Sequence, residues 1–143
     1  VYGPAGRPDM SIFRFVRWVF EGQPVEIYGD GNQERDFTFV DDIADGTVRA
    51  LRPLGYATIN LGSDAPVSIR EVIGLVEKFT GKRAKTVHTP AHPSDVKATW
   101  ADISAAGKLL EWRPRVDISE GVRRTVEWYR ENRALASSLA VPR

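Results

Sequence analysis

The stretch VEIYGDGNQERDFTFVDDIADGTVRAL, residues 25–51, changes its apolar period partway along. Val25-Glu26-Ile27-Tyr28 alternates like a short strand, and Gly29-Asp30-Gly31-Asn32 is a strong turn signal. Asp36-Phe37-Thr38-Phe39-Val40 reads as a second short strand. Asp41 or Asp42 is placed to cap a helix, on which Ile43, Thr47, Ala50 and Leu51 share a face before Pro53 ends it. Strand, turn, strand and helix in one run put the chain in the α/β class.

The flanks continue the alternation. Upstream, Val1-Tyr2-Gly3-Pro4 reads as the end of a strand entering a loop with Gly6 and Pro8. Asp9 is placed to cap a helix with Ile12, Val16, Val19 and Phe20 on one face and Arg14, Arg17 and Glu21 on the other, stopped by Gly22. Downstream, Ala57-Thr58-Ile59-Asn60-Leu61 reads as a strand broken by Gly62. Ser68-Ile69-Arg70-Glu71 is a capping box, with Val67 and Val72 placed as a hydrophobic staple. Ile69, Ile73, Val76 and Phe79 form the stripe of that helix, and Gly81 closes it. Residues 84–89 form a further strand. After a proline-bearing loop, Asp102 caps a short helix with Ile103, Ala106 and Leu110 inward. The last helix runs from about Asp117 to Asn132, with Val122, Val126 and Tyr129 inward and an Arg123–Glu127 pair outside. Residues 1–133 are thus expected to form one domain of about five helices and four or five short strands, α+β-like in isolation, and 134–143 a flexible tail. Strands this short leave edges that need a partner: a larger sheet, or another copy of the chain.

Composition narrows the classes of function. The chain has 143 residues, 42% hydrophobic and 27% charged, with a net charge of +1 and no cysteine. The charge balance gives no nucleic-acid footprint, and the missing thiols exclude disulfides and thiolate catalysis. A reducing cytoplasm is the compatible location. No apolar run approaches the roughly 20 residues that span a membrane. His88 and His92 are the only histidines. Pro90 and Pro93 keep them off a common helix face, so no metal site is expected. The start at Val1, without an initiator Met or signal peptide, reads as a cut from something longer or as the loss of a short leader.

Nine stretches in order resemble the C-terminal part of the extended short-chain dehydrogenase/reductases, the NAD-dependent nucleotide-sugar epimerases and dehydratases. They are Val1-Tyr2-Gly3-Pro4, Tyr28-Gly29-Asp30-Gly31, Gln33-Glu34-Arg35-Asp36-Phe37, Val40-Asp41-Asp42-Ile43, Asn60-Leu61-Gly62, Pro93-Ser94-Asp95-Val96, Ala101-Asp102-Ile103-Ser104, Glu111-Trp112-Arg113-Pro114 and Glu120-Gly121-Val122. Within that family the nearest likeness is to UDP-glucuronate 4-epimerases, with UDP-glucose 4-epimerases and UDP-glucuronate decarboxylases close behind.

The resemblance implies an extended Rossmann-type fold, of which this chain is the substrate-binding part, and a UDP-sugar site carried by Tyr28, Arg35, Asn60, His92 and Asp95. The residues alone leave each role open. Arg35 offers a guanidinium fork to phosphate oxygens, or pairs with Asp36 at the surface. Tyr28 contacts the uracil or its ribose, or packs into the core. Asn60 meets the diphosphate, or turns the chain beside Gly62. Asp95 accepts two ribose hydroxyls, as its counterpart does in the family. His92 stands where the family often has a phosphate-binding arginine, which weakens one clamp. Asp41, Asp42 and Asp102 read as helix caps rather than catalytic carboxylates, and Trp100, Trp112 and Trp128 as packing anchors.

The complete enzyme would use NAD, held by a glycine-rich turn on a helix N-terminus, and a Tyr-x-x-x-Lys pair. Neither occurs here. No G-x-G-x-x-G spacing is present, and Tyr2, Tyr28, Tyr56 and Tyr129 are followed four residues on by Gly6, Asn32, Asn60 and Arg133. The chain is therefore expected to carry no catalytic residue, bind no NAD alone and not catalyse alone. Three roles fit: the UDP-sugar half of an epimerase, a stand-alone UDP-sugar module or partner subunit completing a separate N-terminal NAD-binding chain, or a non-functional remnant.

Overall fold

Three helices with apolar stripes make the main core of the structure, a computed structural model that describes residues 1–91 and 96–140. Helix α1, Ser11–Glu21, buries Ile12, Phe13, Phe15, Val16 and Val19 and stops at Gly22, whose φ of 70° is left-handed. Helix α3, Ile69–Thr80, starts at Ser68, whose Oγ accepts the Glu71 N–H at 3.2 Å, and buries Ile69, Val72, Ile73 and Val76. Helix α5, Ile118–Glu131, starts at Asp117, whose carboxylate accepts the Glu120 N–H at 2.8 Å. It buries Val122, Val126 and Tyr129 and carries the Arg123–Glu127 pair at 2.6 Å. Valines 16, 19, 72, 76, 122 and 126 are all at most 1% exposed. Each such side chain contributes about 1.5–3 kcal/mol of burial.

Short strands pin loops to this core. Strand β1, Pro24–Tyr28, sends Val25 and Ile27 into it and runs parallel to β4, Lys85–Thr89, with Tyr28 opposite Thr89. Strand β2, Glu34–Arg35, is the centre of a three-stranded ladder, antiparallel to β3, Val67–Ser68, and parallel to β5, Ala98–Thr99. Helix α2, Val40–Arg49, leads to a smaller cluster in which α4, Ser104–Leu110, buries Ala106 and Leu110 beside Trp112.

The structure departs from the sequence reading at several places. Residues 36–40 form no strand: the Asp36 carboxylate takes N–H groups from Ser63, Asp64 and Ala101, and Phe39 makes one parallel bridge with Tyr2 before Val40 opens α2. Neither Asp41 nor Asp42 caps α2. Phe39 holds the cap position, and Asp42, 4% exposed, accepts from Arg115 N and Val116 N. Asp9 does not cap α1 but pairs with Arg7, whose guanidinium holds the Asp9 carboxyl below the usual range. Residues 57–61 have no ladder partner among the described residues. Residues expected to fray after Arg133 instead form a sixth helix, α6, Arg133–Ser138. Ala136 is buried there, and Arg17 donates to the carbonyls of Ser137 and Leu139 at 3.0 and 2.6 Å.

One contact in the core has no slack. Tyr2, whose phenol is pushed up chiefly by burial, lays its ring against the backbone of Gly121 on α5. A Cβ at residue 121 would sit 2.6 Å from Tyr2 Cζ. Gly121→Ala is expected to destabilise the fold by about 1–3 kcal/mol, despite alanine's better helix propensity. A lower midpoint in urea with an unchanged m value would report it.

Candidate functional site

The turn between β1 and β2 sets the site. Gly29 and Gly31 adopt φ of 68° and 79°, and the Asp30 carboxylate accepts the Asn32 N–H at 2.9 Å and its amide at 2.7 Å. Those Asn32 bonds, the backbone one first, hold the Asp30 carboxyl below its ordinary range. Gln33 Nε2 reaches back to the Tyr28 carbonyl at 2.8 Å, and His88 Nδ1 lies 2.8 Å from the Gly29 carbonyl. Strand β1 therefore ends in a fixed geometry.

Tyr28 and Arg35 open onto one cleft, floored by Phe15, Trp18, Ile27 and Ile69 and rimmed by Ser11, Arg14, Glu26 and Gln33. Its volume is about 190 Å³. Small-molecule pockets run to roughly 300–1,000 Å³, so this one has room for a single ring, not a whole sugar nucleotide. Tyr28 is 48% exposed, so it is not the packed core residue that its strand position also allowed. Arg35 Nη1 donates to the carbonyls of Glu34 and Val96 at 2.7 and 2.9 Å, which orients the guanidinium between β2 and the start of β5.

Asn60 lies elsewhere. It lines a second cleft, of about 390 Å³, with Val1, Asp36, Leu61, Gly62, Trp100 and Asp102, and its amide donates weakly to the Asp102 carbonyl at 3.4 Å. Ile103, not Asp102 as the sequence suggested, holds the cap position of α4; the Asp102 carboxyl, one residue earlier, accepts the Ser104 N–H at 2.8 Å and is lowered by the Ser104 side chain and backbone N–H. His92 and Asp95 lie outside the described residues.

Two contributors escaped the sequence reading. Arg14, assigned to the outer face of α1, lines the Tyr28–Arg35 cleft, with its guanidinium 4.5 Å from the Trp18 ring centroid and 3.8 Å from Glu26. The i, i+4 spacing of Arg14 and Trp18 was the available signal. Asp36 organises the second cleft through four donors: the N–H groups of Ser63, Asp64 and Ala101 and the Ser63 hydroxyl. A lone carboxylate between Arg35 and Phe37 was its signal.

Among the described residues the Gly29–Gly31 turn does not have the layout of a dinucleotide cradle. The positive-φ glycines of the turn join two strands, whereas a pyrophosphate cradle needs a strand running into a helix N-terminus. Among the described residues no acidic or histidine cluster has the makings of a metal site, and no helix is long and apolar enough to cross a membrane.

A mixed α/β piece of this kind matches the C-terminal part of Rossmann-type epimerases. Residues 1–62 match the NAD dependent epimerase/dehydratase family, and the chain belongs to that family. It is 56% identical, over 99% of its length, to the UDP-glucuronate 4-epimerase of Thermodesulfobacterium geofontis. Among solved structures it is similar to the UDP-glucuronic acid 4-epimerase of Bacillus cereus in complex with UDP-glucuronic acid and NAD. That match has a TM-score of 0.84 and 39% identity over 91% of this chain and 42% of the other. It is also similar to an epimerase of Methanothermobacter thermautotrophicus, with a TM-score of 0.90 and 33% identity over 99% and 44%. The chain spans less than half the length of the relatives it matches, 44% of the Thermodesulfobacterium protein.

Proposed function

We propose that residues 1–133 are the sugar-nucleotide-binding half of an NAD-dependent UDP-sugar 4-epimerase, with UDP-glucuronate as the substrate. The observation that carries this reading is the convergence of Tyr28 and Arg35 on one cleft, beside a turn locked by Asp30. The ring-sized space against Tyr28 suits the uracil, and the oriented Arg35 guanidinium suits the diphosphate. The resemblance adds Asn60, His92 and Asp95 to the substrate contacts; Asn60 lines the second cleft, and His92 and Asp95 lie outside the described residues. NAD and the Tyr-x-x-x-Lys pair belong to the part of these enzymes that the chain does not span, so hydride chemistry is not expected from it alone.

Calorimetric titration with UDP-glucuronate, UDP and NAD, repeated on Arg35→Ala, tests this. Both uridine ligands are expected to bind saturably and NAD not at all. Loss of a charge-assisted hydrogen bond costs about 1.5–3 kcal/mol, so Arg35→Ala should weaken UDP by roughly 10- to 150-fold. UDP binding that survives Arg35→Ala unchanged would remove Arg35 from the site. No UDP binding up to millimolar concentrations would end the reading for the isolated chain.

A further inference from the structure

Arg14 carries hydrogen-bond donors that the protein leaves unspent. Its Nε is buried without a partner, and its Nη2 lies 3.8 Å from Glu26 Oε2, beyond hydrogen-bond reach. The guanidinium carbon stands 4.5 Å from the Trp18 ring centroid, a cation–π contact that fixes its place and uses no donor. Native structures leave few buried donors unpaired, so this one calls for a reason.

The cleft shared with Tyr28 and Arg35 supplies one. Ser11, Arg14 and Trp18 follow at i, i+3 and i+7 on α1, one ridge of that helix, and all three are half-buried. Glu26 and Tyr28 are exposed on one face of β1, where the strand alternates. The cleft is the trough between that ridge and that face. Along it stand the ring of Tyr28, the carboxylate of Glu26 and the guanidinium of Arg14. The carboxylate accepts and does not donate; the guanidinium donates and does not accept. Side by side, they match two neighbouring positions on a flat ring, one a donor and one an acceptor.

Their place in the cleft says which edge of the ring they meet. Gln33, two residues before Arg35, holds the Tyr28 carbonyl, whereas Glu26 stands two residues farther back along β1. The Arg14–Glu26 pair therefore lies away from the diphosphate end, facing the side of the base remote from its ribose.

We propose that Arg14 and Glu26 select the base of the nucleotide. Glu26 accepts the N3–H of uracil, and Arg14 donates to the neighbouring C4 carbonyl. Cytosine in the same pose turns the N3 lone pair toward the carboxylate and the C4 amino group toward the guanidinium, so neither contact forms. The proposal rests on the reading above that uracil occupies this cleft, and it adds the two side chains that tell uracil from the other pyrimidine.

Calorimetric titrations of the full chain with UDP and CDP test it, on the natural protein, Arg14→Leu and Glu26→Gln. The natural chain is expected to prefer UDP by roughly 5- to 150-fold, the factor that follows from stranding a buried polar group. Arg14→Leu weakens UDP and leaves CDP nearly unchanged, which pulls the ratio toward one. Glu26→Gln brings an amide that donates to cytosine N3, so CDP tightens and the preference narrows from the other side. A variant that merely loosens the cleft weakens both nucleotides by the same factor. That result in both variants, or equal binding of UDP and CDP by the natural chain, overturns the proposal. UDP binding that is lost in Arg35→Ala, with the base preference intact in both variants, removes the base selection and leaves the sugar-nucleotide site standing. No UDP binding by the natural chain overturns both.

Discussion

Trp112→Ala is expected to lower the unfolding free energy by about 3–5 kcal/mol, the cost of removing a large aromatic from a closed site. The residue is 1% exposed and forms, with Ala106 and Leu110, the whole fully buried part of the smaller cluster. Its indole Nε1 donates to the Asp42 carbonyl at 3.0 Å, while the Asp42 carboxylate holds Arg115 N and Val116 N at 3.1 and 3.0 Å. The ring therefore ties α2 to α4 and to the entry of α5. Small domains have only about 5–15 kcal/mol in all, so the variant should unfold at much lower urea. Trp112→Phe separates the two contributions: it keeps most of the buried area and loses the one hydrogen bond, for about 1–2 kcal/mol. Equal midpoints for the alanine variant and the natural chain would mean that this cluster stabilises nothing.

Asp36→Ala should cost about 3 kcal/mol or more, with an added loss of ligand binding. The carboxylate accepts from Ser63 N at 2.9 Å, Asp64 N at 3.3 Å and Ala101 N at 3.0 Å, as well as from the Ser63 hydroxyl. Bonds to an ionised acceptor are worth about 1.5–3 kcal/mol each, and alanine strands partly buried donors without a substitute. The packing leaves nowhere to retreat: a Cβ on Gly62 would lie 2.7 Å from Asp36 Oδ2 and 2.6 Å from Ala101 Cβ. Because these bonds fasten 62–64 and Ala101 to the residue after Arg35, the variant should also weaken UDP, measured by titration below its melting temperature. Unchanged stability would show that water replaces the carboxylate.

The helices were legible because their information is local. The Ser68 cap, the helix start at about Asp117, the Gly22 and Gly81 stops and the stripes of α1, α3 and α5 all sit where spacing put them. Strands failed where pairing was decided at a distance. Residues 36–40 have the composition of a strand, but a side chain, Asp36, took the N–H groups a ladder would have used. Residues 57–61 have the pattern of a strand without a partner to pair with among the described residues. Helix α6 was missed because its anchor, Arg17, is more than a hundred residues away in sequence. At the site, the cleft shared by Tyr28 and Arg35 came through the resemblance rather than through periodicity. The separation of Asn60 from that cleft, and the entry of Arg14 into it, needed the packing of α1 on β1.

The placement of α5 also bears on how the protein is made. Helices α1 and α3 each rest their apolar stripes on α5, and Tyr2, at the opposite end of the chain, packs against Gly121 within it. A ribosome adds roughly 5–20 residues per second, so α1 waits on the order of ten seconds before the helix that seals it is synthesised. Throughout that interval Phe13, Phe15 and Val16 have only part of their final surroundings. The main core closes only once α5 has been made, and until then the apolar faces of α1 and α3 are open to neighbours on the polysome.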